Sequence, residues 1–393
     1  MIKAILLDLD NTLIANPDHL FAPAYLGLAE EFFEERWRFS GYSQVLVNTM
    51  REMMGHRDML RSNIQVALDV IKNETERSQS EIWQTTRDFY HESYPSLKSC
   101  VTQVEGGAEL IAILKAQDYK VIIATNPVYP AEAIRQRLIW AGLNDDFSYY
   151  ALVTHSENMH FTKPSSAYYA EILGRVGVEP DEVVMVGDSI RNDIIPAAAL
   201  GLHSYHIKTE ESPYFGGTLQ QFSSLVKDEG WLESLIPLQL VPSMIEPQLR
   251  GNVGALFGML EGVKPHFWMQ HPDPNEWSIL QIVCHLLESE ETVQRPRLKQ
   301  ILTENNPFLS ESKQPPGPEA APCDEEGYHA ARDFVRVRSE TIDFLRYLSA
   351  EDWMRPARHS IFGPTTLLEM AHFTAQHDRL HLKQLCRTLG KCT

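Results

Sequence analysis

Residues 2–13 read IKAILLDLDNTL, and the reading of this stretch decides the fold. Residues 2–7 form an apolar run interrupted only by Lys3, with no helical period, as in a strand buried on both faces. Two aspartates one residue apart, Asp8 and Asp10, then stand where that strand ends. Negative charge at such a place is costly unless another group offsets it.

Outward from this strand, residues 19–97 read as helical throughout. Phe21, Tyr25, Leu28 and Phe32 recur at helical spacing, as do Leu46, Met50 and Met53. The pattern then changes to alternation. GGAELIAILKAQDYKVIIATNP reads as a helix, a turn and a buried strand at 120–124, and PAEAIRQRLIWAGL as a helix capped near Gly142. YYALVTH and EVVMVGDS read as strands, with a helix in SAYYAEILGRVGV between them. DIIPAAALGL reads as a helix before a last strand near 203–207. Strands alternating with helices of this length predict an α/β fold, a Rossmann-like parallel sheet in three layers, with the helical block inserted after the first strand.

From about residue 236 the alternation stops. IPLQLVPSMIEPQ is punctuated by proline and reads as a linker over 236–244. Beyond it lies only helical periodicity, near 245–263, 277–302, 327–348 and 365–389. That pattern predicts a separate all-α four-helix bundle over 245–393. The proline-rich NNPFLSESKQPPGPEAAPCDEEG joins the second and third of these helices.

The chain has 393 residues, room for two or three domains. Its formal charge of −18 and the lack of any basic stripe argue against nucleic acid as partner. No apolar segment reaches the roughly 18–20 residues needed to span a bilayer, so no membrane role is expected. Cys100, Cys284, Cys323, Cys386 and Cys392 make no CxxC pair, which suits reduced thiols in a cytoplasmic protein.

In an open parallel sheet, ligands bind beyond the carboxyl ends of the strands. The polar residues fall there: Asp8 and Asp10, then Thr125 and Asn126, Lys163, Asp188, and Asp193 one turn on. Phosphoryl transfer needs these types. One carboxylate can attack phosphorus, and a second can protonate the leaving alcohol and then deprotonate water. Mg²⁺ favours a few carboxylates, while lysine and hydroxyl groups clamp phosphoryl oxygens.

With DLDNT (8–12), IIAT (122–125), KP (163–164) and GDSIRND (187–193) in order, residues 1–235 resemble the haloacid dehalogenase superfamily. The resemblance implies a core of 1–14 and 100–235 and a helical cap at about 15–99. It implies Asp8 as nucleophile and Mg²⁺ ligand, and Asp10 as acid/base with its carbonyl on the metal. It places Thr125, Asn126 and Lys163 on the phosphate, and Asp188 with Asp193 at the metal. An acid at position 10 points to phosphate monoesters, because the family's dehalogenases carry a non-acidic residue there. Of the cap residues, His56 and Arg57 read as an exposed helix-end pair.

In the C-terminal half, AQHDRLHLKQL sets His377 and His381 four apart on one helical face, and His285 sits in the apolar-rich WSILQIVCHLLESE. Two histidines at this spacing with a third from a facing helix make a metal site with open positions. His372 falls outside that spacing, and Trp277 and Trp353 read as core anchors. Through NEWSILQIVCHLLESE, LSAEDW and HDRLHLKQL this half resembles the DinB-like four-helix bundle family. That resemblance implies His285, His377 and His381 as ligands of Zn²⁺ or Ni²⁺. Some members of that family are thiol-dependent transferases.

The expected function is a cytoplasmic Mg²⁺-dependent phosphatase for a small phosphorylated metabolite, fused to a metal-binding bundle. The alternatives are a phospho-ligand binding or interaction protein, and a metal- and thiol-dependent transferase seated in the bundle. A homodimer through the bundle is left open.

Overall fold

The computed structural model describes residues 1–208, 212–228, 230–311 and 327–392. Cys323 and most of the proline-rich stretch at 305–327 lie outside the described residues. The chain forms two units, Met1–Tyr169 with Pro180–Leu238, and Ala170–Glu179 with Gln239–Thr393.

The strands of the first unit are β1 (Ala4–Leu7), β2 (Ile14–Ala15), β3 (Thr102–Gln103), β4 (Lys120–Ile123), β5 (Leu152–Val153), β6 (Val183–Gly187), β7 (His203–Ile207) and β8 (Gly216–Gly217). Six of them make a parallel sheet in the order β5-β4-β1-β6-β7-β8. The opening strand is central. Leu7 lies level with Ile123 of β4 and with Val186 of β6, so three strands end together. Ala4, Ile5, Leu6 and Leu7 have no exposed surface, which explains the unbroken apolar run.

Between β2 and β3 the chain runs through α1 (Asp18–Trp37), α2 (Tyr42–Gly55), α3 (Asn63–Thr75), α4 (Gln79–Glu92) and a 3₁₀ turn at Tyr94–Cys100. The antiparallel pair β2–β3 carries it out and back, with Ile14 opposite Gln103 and Ala15 opposite Thr102. The helical block packs around an aromatic cluster that includes Tyr25, Phe33, Tyr42, Phe89 and Tyr94. Helix α3 starts at a capping box made by Ser62 and Gln65. Its first two residues donate to the carbonyls of Met159 and Ser156, tying this helix to the loop before Lys163. Helices α5 (Gly107–Ala116), α6 (Ala131–Trp140), α7 (Ser166–Val176), α8 (Ile195–Leu200) and α9 (Leu219–Lys227) complete the alternation.

The second unit contains α10 (Ile245–Leu260), α11 (Ile279–Ser289), α12 (Arg295–Thr303), α13 (Gly327–Arg346), α14 (Ala350–Trp353) and α15 (Leu367–Cys392). The helix expected over 277–302 is helical without interruption from Ile279 to Thr303, with a π-helical turn at Glu290–Gln294 between α11 and α12. Pro296, in the first turn of α12, has no N–H to give the preceding turn, which accounts for the widened turn. The unit also carries β9 (Phe308–Leu309), β10 (Pro356–His359) and β11 (Gly363–Thr366), in the order β11-β10-β9. Strands of two to four residues show no readable periodicity, so helical pattern alone did not announce them.

Four helical segments contribute to one buried polar layer. Arg338 of α13 donates to Glu290 at 2.8 Å and pairs with Asp378 of α15. Asn252 of α10 donates to Asp378 at 3.2 Å, and the Thr341 hydroxyl bonds Glu290. Each of these five side chains is almost fully enclosed.

Candidate functional site

The level ends of β1, β4 and β6 put their following residues side by side. Asp8 follows β1, Thr125 lies just beyond β4, and Asp188 follows β6. Lys163 reaches in from the segment before α7. Its Nζ lies 2.6 Å from Asp8 Oδ1 and 2.5 Å from Asp193 Oδ1. Carboxylate oxygens of Asp8, Asp188 and Asp193 lie within 4.8 Å of one another. Thr12 donates to Asp8 Oδ2 at 3.3 Å, and Asn126 Oδ1 accepts from the Lys163 backbone N–H at 3.2 Å. Thr125 is buried, its carbonyl taking the Thr154 and Tyr168 hydroxyls.

Three carboxylates therefore face one ammonium. Burial pushes the Asp8 carboxyl up, Lys163 opposes this, and Asp193 and Asp188 add to it by repulsion. Burial, with the nearby Asp193, pushes Asp188 up to about 6. Burial alone would drain the charge of Lys163, but Asp193 and Asp8 hold its pKa well above the usual lysine value. Surplus negative charge and an all-oxygen donor set fit a hard divalent cation such as Mg²⁺. Both oxygens of Asp193 are already engaged, Oδ1 by Lys163 and Oδ2 by the Ser189 backbone N–H at 3.0 Å.

Asp10 stands apart from this cluster. Its Oδ1 accepts from Asn16 Nδ2 and its Oδ2 from Arg137 Nη1, each at 2.7 Å. Asn16 and Arg137 escaped the sequence reading. A signal was present for Arg137, which falls on the apolar stripe of Ile134, Leu138 and Ala141, where a charge needs a buried partner. Gly187 also escaped notice. A Cβ there would come within 2.4 Å of Asp193 Oδ2, so only glycine lets that carboxylate fold over the strand end. His206 Nε2 lies 2.8 Å from the Asp188 carbonyl oxygen, bracing the loop that carries Asp188. His56 is half-buried and bonded to Asn63 Oδ1 at 2.9 Å, whereas Arg57 is exposed.

In the second unit, α11 and α15 bring His285, His377 and His381 together, each with a ring nitrogen within 4.8 Å of the others. Nε2 atoms of His285 and His377 are 3.3 Å apart. His381 Nδ1 is 3.0 Å from Gln384 Oε1, which orients its ring. Burial, and then the neighbouring imidazoles, push His377 down to about 3 and His285 down to about 4. All three rings are therefore neutral near pH 7, with lone pairs free for a borderline cation. Trp277 is not the core anchor expected. It is half-buried, stacked on His381 at a centroid distance of 5.8 Å and edge-on to His285 at 4.9 Å. Trp353, by contrast, is buried. Among the described residues, no helix is long and apolar enough to cross a membrane.

Residues 2–201 match the family model of the haloacid dehalogenase-like hydrolases, and residues 248–385 that of the DinB superfamily. The phosphoglycolate phosphatase of Pectobacterium atrosepticum is 26% identical over 205 residues, which cover 52% of this chain and 79% of that one. The phosphoglycolate phosphatase of Neisseria gonorrhoeae is 31% identical over 136 residues, 34% of this chain, and the chain spans about half (54%) of that relative's length. Among solved structures, a 2-haloacid dehalogenase from Pseudomonas syringae overlays with a TM-score of 0.40 at 21% identity, covering 57% of this chain and 97% of that one. A probable metal-dependent hydrolase from Bacillus subtilis with a four-helix bundle overlays with a TM-score of 0.33 at 16% identity, covering 37% and 85%. The chain belongs to the haloacid dehalogenase-like hydrolases and carries a DinB-superfamily region after the hydrolase region.

Proposed function

We propose that this haloacid dehalogenase-like hydrolase is a phosphatase that cleaves a small phosphate monoester through a phospho-aspartate on Asp8. The observation that carries the reading is the placement of Asp8, 2.6 Å from Lys163 at the end of the central strand, with a second acid, Asp10, two residues on. Relatives named as phosphoglycolate phosphatases support the same class.

In this reading Asp8 attacks phosphorus, and the ester P–O bond breaks with its electron pair on the alcohol oxygen. That oxygen takes a proton from Asp10. Water then attacks the phosphorus, Asp10 takes its proton, and the pair of the Asp8–phosphate bond returns to Asp8. Lys163 and Thr125 hold phosphoryl oxygens, and Asn126 fixes the Lys163 backbone. Mg²⁺ held by Asp8, Asp188 and the Asp10 carbonyl, with Asp193 in support, would neutralise charge between nucleophile and phosphate. The helical block at about 15–99 acts as the cap that keeps bulk water from the phospho-enzyme.

The three histidines of the bundle are read as the ligands of a second ion, Zn²⁺ or Ni²⁺. Their neutral, clustered rings support this, and an associated thiol-dependent transfer is the second reading. The test of the first reading is phosphate release from a panel of small monoesters, with and without Mg²⁺. Mg²⁺-dependent release that disappears in Asp8→Asn is expected. Silence across the panel would favour a phospho-ligand binding role.

A further inference from the structure

Arg137 is a charged side chain in a place that usually excludes charge. It projects from α6, is 2% exposed, and meets Asp10 Oδ2 at 2.7 Å. Its Nε donates to the Tyr94 hydroxyl at 2.8 Å, and its Cζ lies 4.0 Å from the Tyr129 ring centroid and 4.8 Å from that of Phe21. Phe21 belongs to α1 and Tyr94 to the 3₁₀ turn that closes the helical block. One guanidinium thus touches the second acid of the DLDNT motif and two residues of the cap. Its Nη2 is buried without a hydrogen-bond partner, so the pairing with Asp10 uses one donor where two are on offer.

We propose that Arg137 is a positioning residue that aims the Asp10 carboxylate at the leaving oxygen and ties that aim to the seating of the cap. The inference rests on the phosphatase reading. Asn16 and Arg137 each hold one oxygen of Asp10, so together they fix the direction of its carboxylate. A general acid serves the leaving oxygen only within hydrogen-bond reach, so its placement matters as much as its presence. Tyr94 and Phe21 connect the guanidinium that sets this placement to the cap.

The test is leaving-group dependence. Release of p-nitrophenol needs no proton, whereas an alkyl alcohol does. kcat/KM is measured for p-nitrophenyl phosphate and for the alkyl monoester that the wild type hydrolyses best, in wild type, Arg137→Met, Arg137→Lys and Tyr94→Phe. In Arg137→Met the alkyl value is expected to fall about 10²-fold further than the aryl value. Arg137→Lys should recover part of that difference. Tyr94→Phe keeps the ring packing and loses only the anchoring hydroxyl, so it should show the same selectivity at about a tenth of the size. Equal losses on both esters in all three variants would reduce Arg137 to a packing residue and overturn the inference alone. A wild type that hydrolyses no alkyl ester would overturn the phosphatase reading and the inference together.

Discussion

The carboxylate cluster and the imidazole cluster solve opposite electrostatic problems. At the strand ends, Asp8, Asp188 and Asp193 are anionic and crowded, and Lys163 neutralises only part of their charge. In the bundle, His285, His377 and His381 are neutral, and burial costs them the ability to become charged. On the proposed reading a cation relieves the repulsion in the first cluster, while the second carries no charge to be relieved and offers softer nitrogen donors. The difference also shows in how each is built. Asp8 and Asp188 come from loops after strands that a sheet aligns, with Asp193 from the π-helical turn at Ile190–Ile194, and the imidazoles come from the interiors of two helices, where 3.6-residue periodicity aligns them.

The largest effect that sharpens this contrast is expected from Asp8→Asn. Loss of the nucleophile should lower phosphate release by about 10⁴-fold or more, measured in single turnovers. If Asp8→Asn also shed a transition metal retained through dialysis, the two clusters would not be the separate sites described above. Next comes His377→Ala, which removes one of the three proposed nitrogen ligands. Retention of Zn²⁺ or Ni²⁺ by the full chain should fall by more than about 100-fold in affinity, read by elemental analysis after dialysis. Unchanged retention would remove the bundle from the comparison. Gly187→Ala is smaller in scale. Its methyl group must displace the Asp193 carboxylate, so kcat should fall by about 10- to 100-fold with the fold intact by circular dichroism.

The smallest effect is on stability, and it has opposite signs in the two units. Asp188 has a folded pKa of about 6, above its unfolded value, so the folded state binds more protons in between. That contribution is present at low pH and is lost as pH rises towards 6. His285 and His377, at about 4 and about 3, lie below the unfolded value of about 6.5. There the unfolded state binds more protons, so stability is lost as pH falls from about 6.5 towards 4. Segment-resolved hydrogen exchange of the chelated protein at pH 7 and pH 5 should show protection falling in α11 and α15 on acidification, but not at β1 and β6. Equal loosening of both would break the contrast.

Much of this was legible in the chain itself, for reasons specific to each element. The strand at Ala4–Leu7 is buried on both faces, so its whole sequence is apolar and its end is marked by the first charge. The strand expected near 203–207 lies at His203–Ile207, but it is not the last, because the two-residue β8 pairs beyond it. Residues 8, 125 and 188 could be placed because strand ends are local in sequence, whereas Lys163, well beyond the end of β5, was picked out by its KP motif. The partners of Asp10 could not be placed that way. Arg137 lies 127 residues from it, and only the sheet and α6 bring them together. The strands β9, β10 and β11 are too short for any period, and the π-helical turn between α11 and α12 is marked only by Pro296. Trp277 was misread because a tryptophan beside apolar residues looks like a core residue until the histidines arrive from α15.

The layer of Asn252, Glu290, Arg338 and Asp378 has a consequence for how the bundle can vary. Asp378 follows His377 directly, so the ion pairs to Arg338 fix the rotation and height of the helix that carries two of the three imidazoles. Sliding α15 by one turn would strand buried charges without partners, at about 3–5 kcal/mol each. The layer therefore acts as a key in a keyway: α15 has one seat and no neighbouring one. A transplant of the histidines into another four-helix scaffold would have to bring that key with them, or the three rings would meet in more than one alignment.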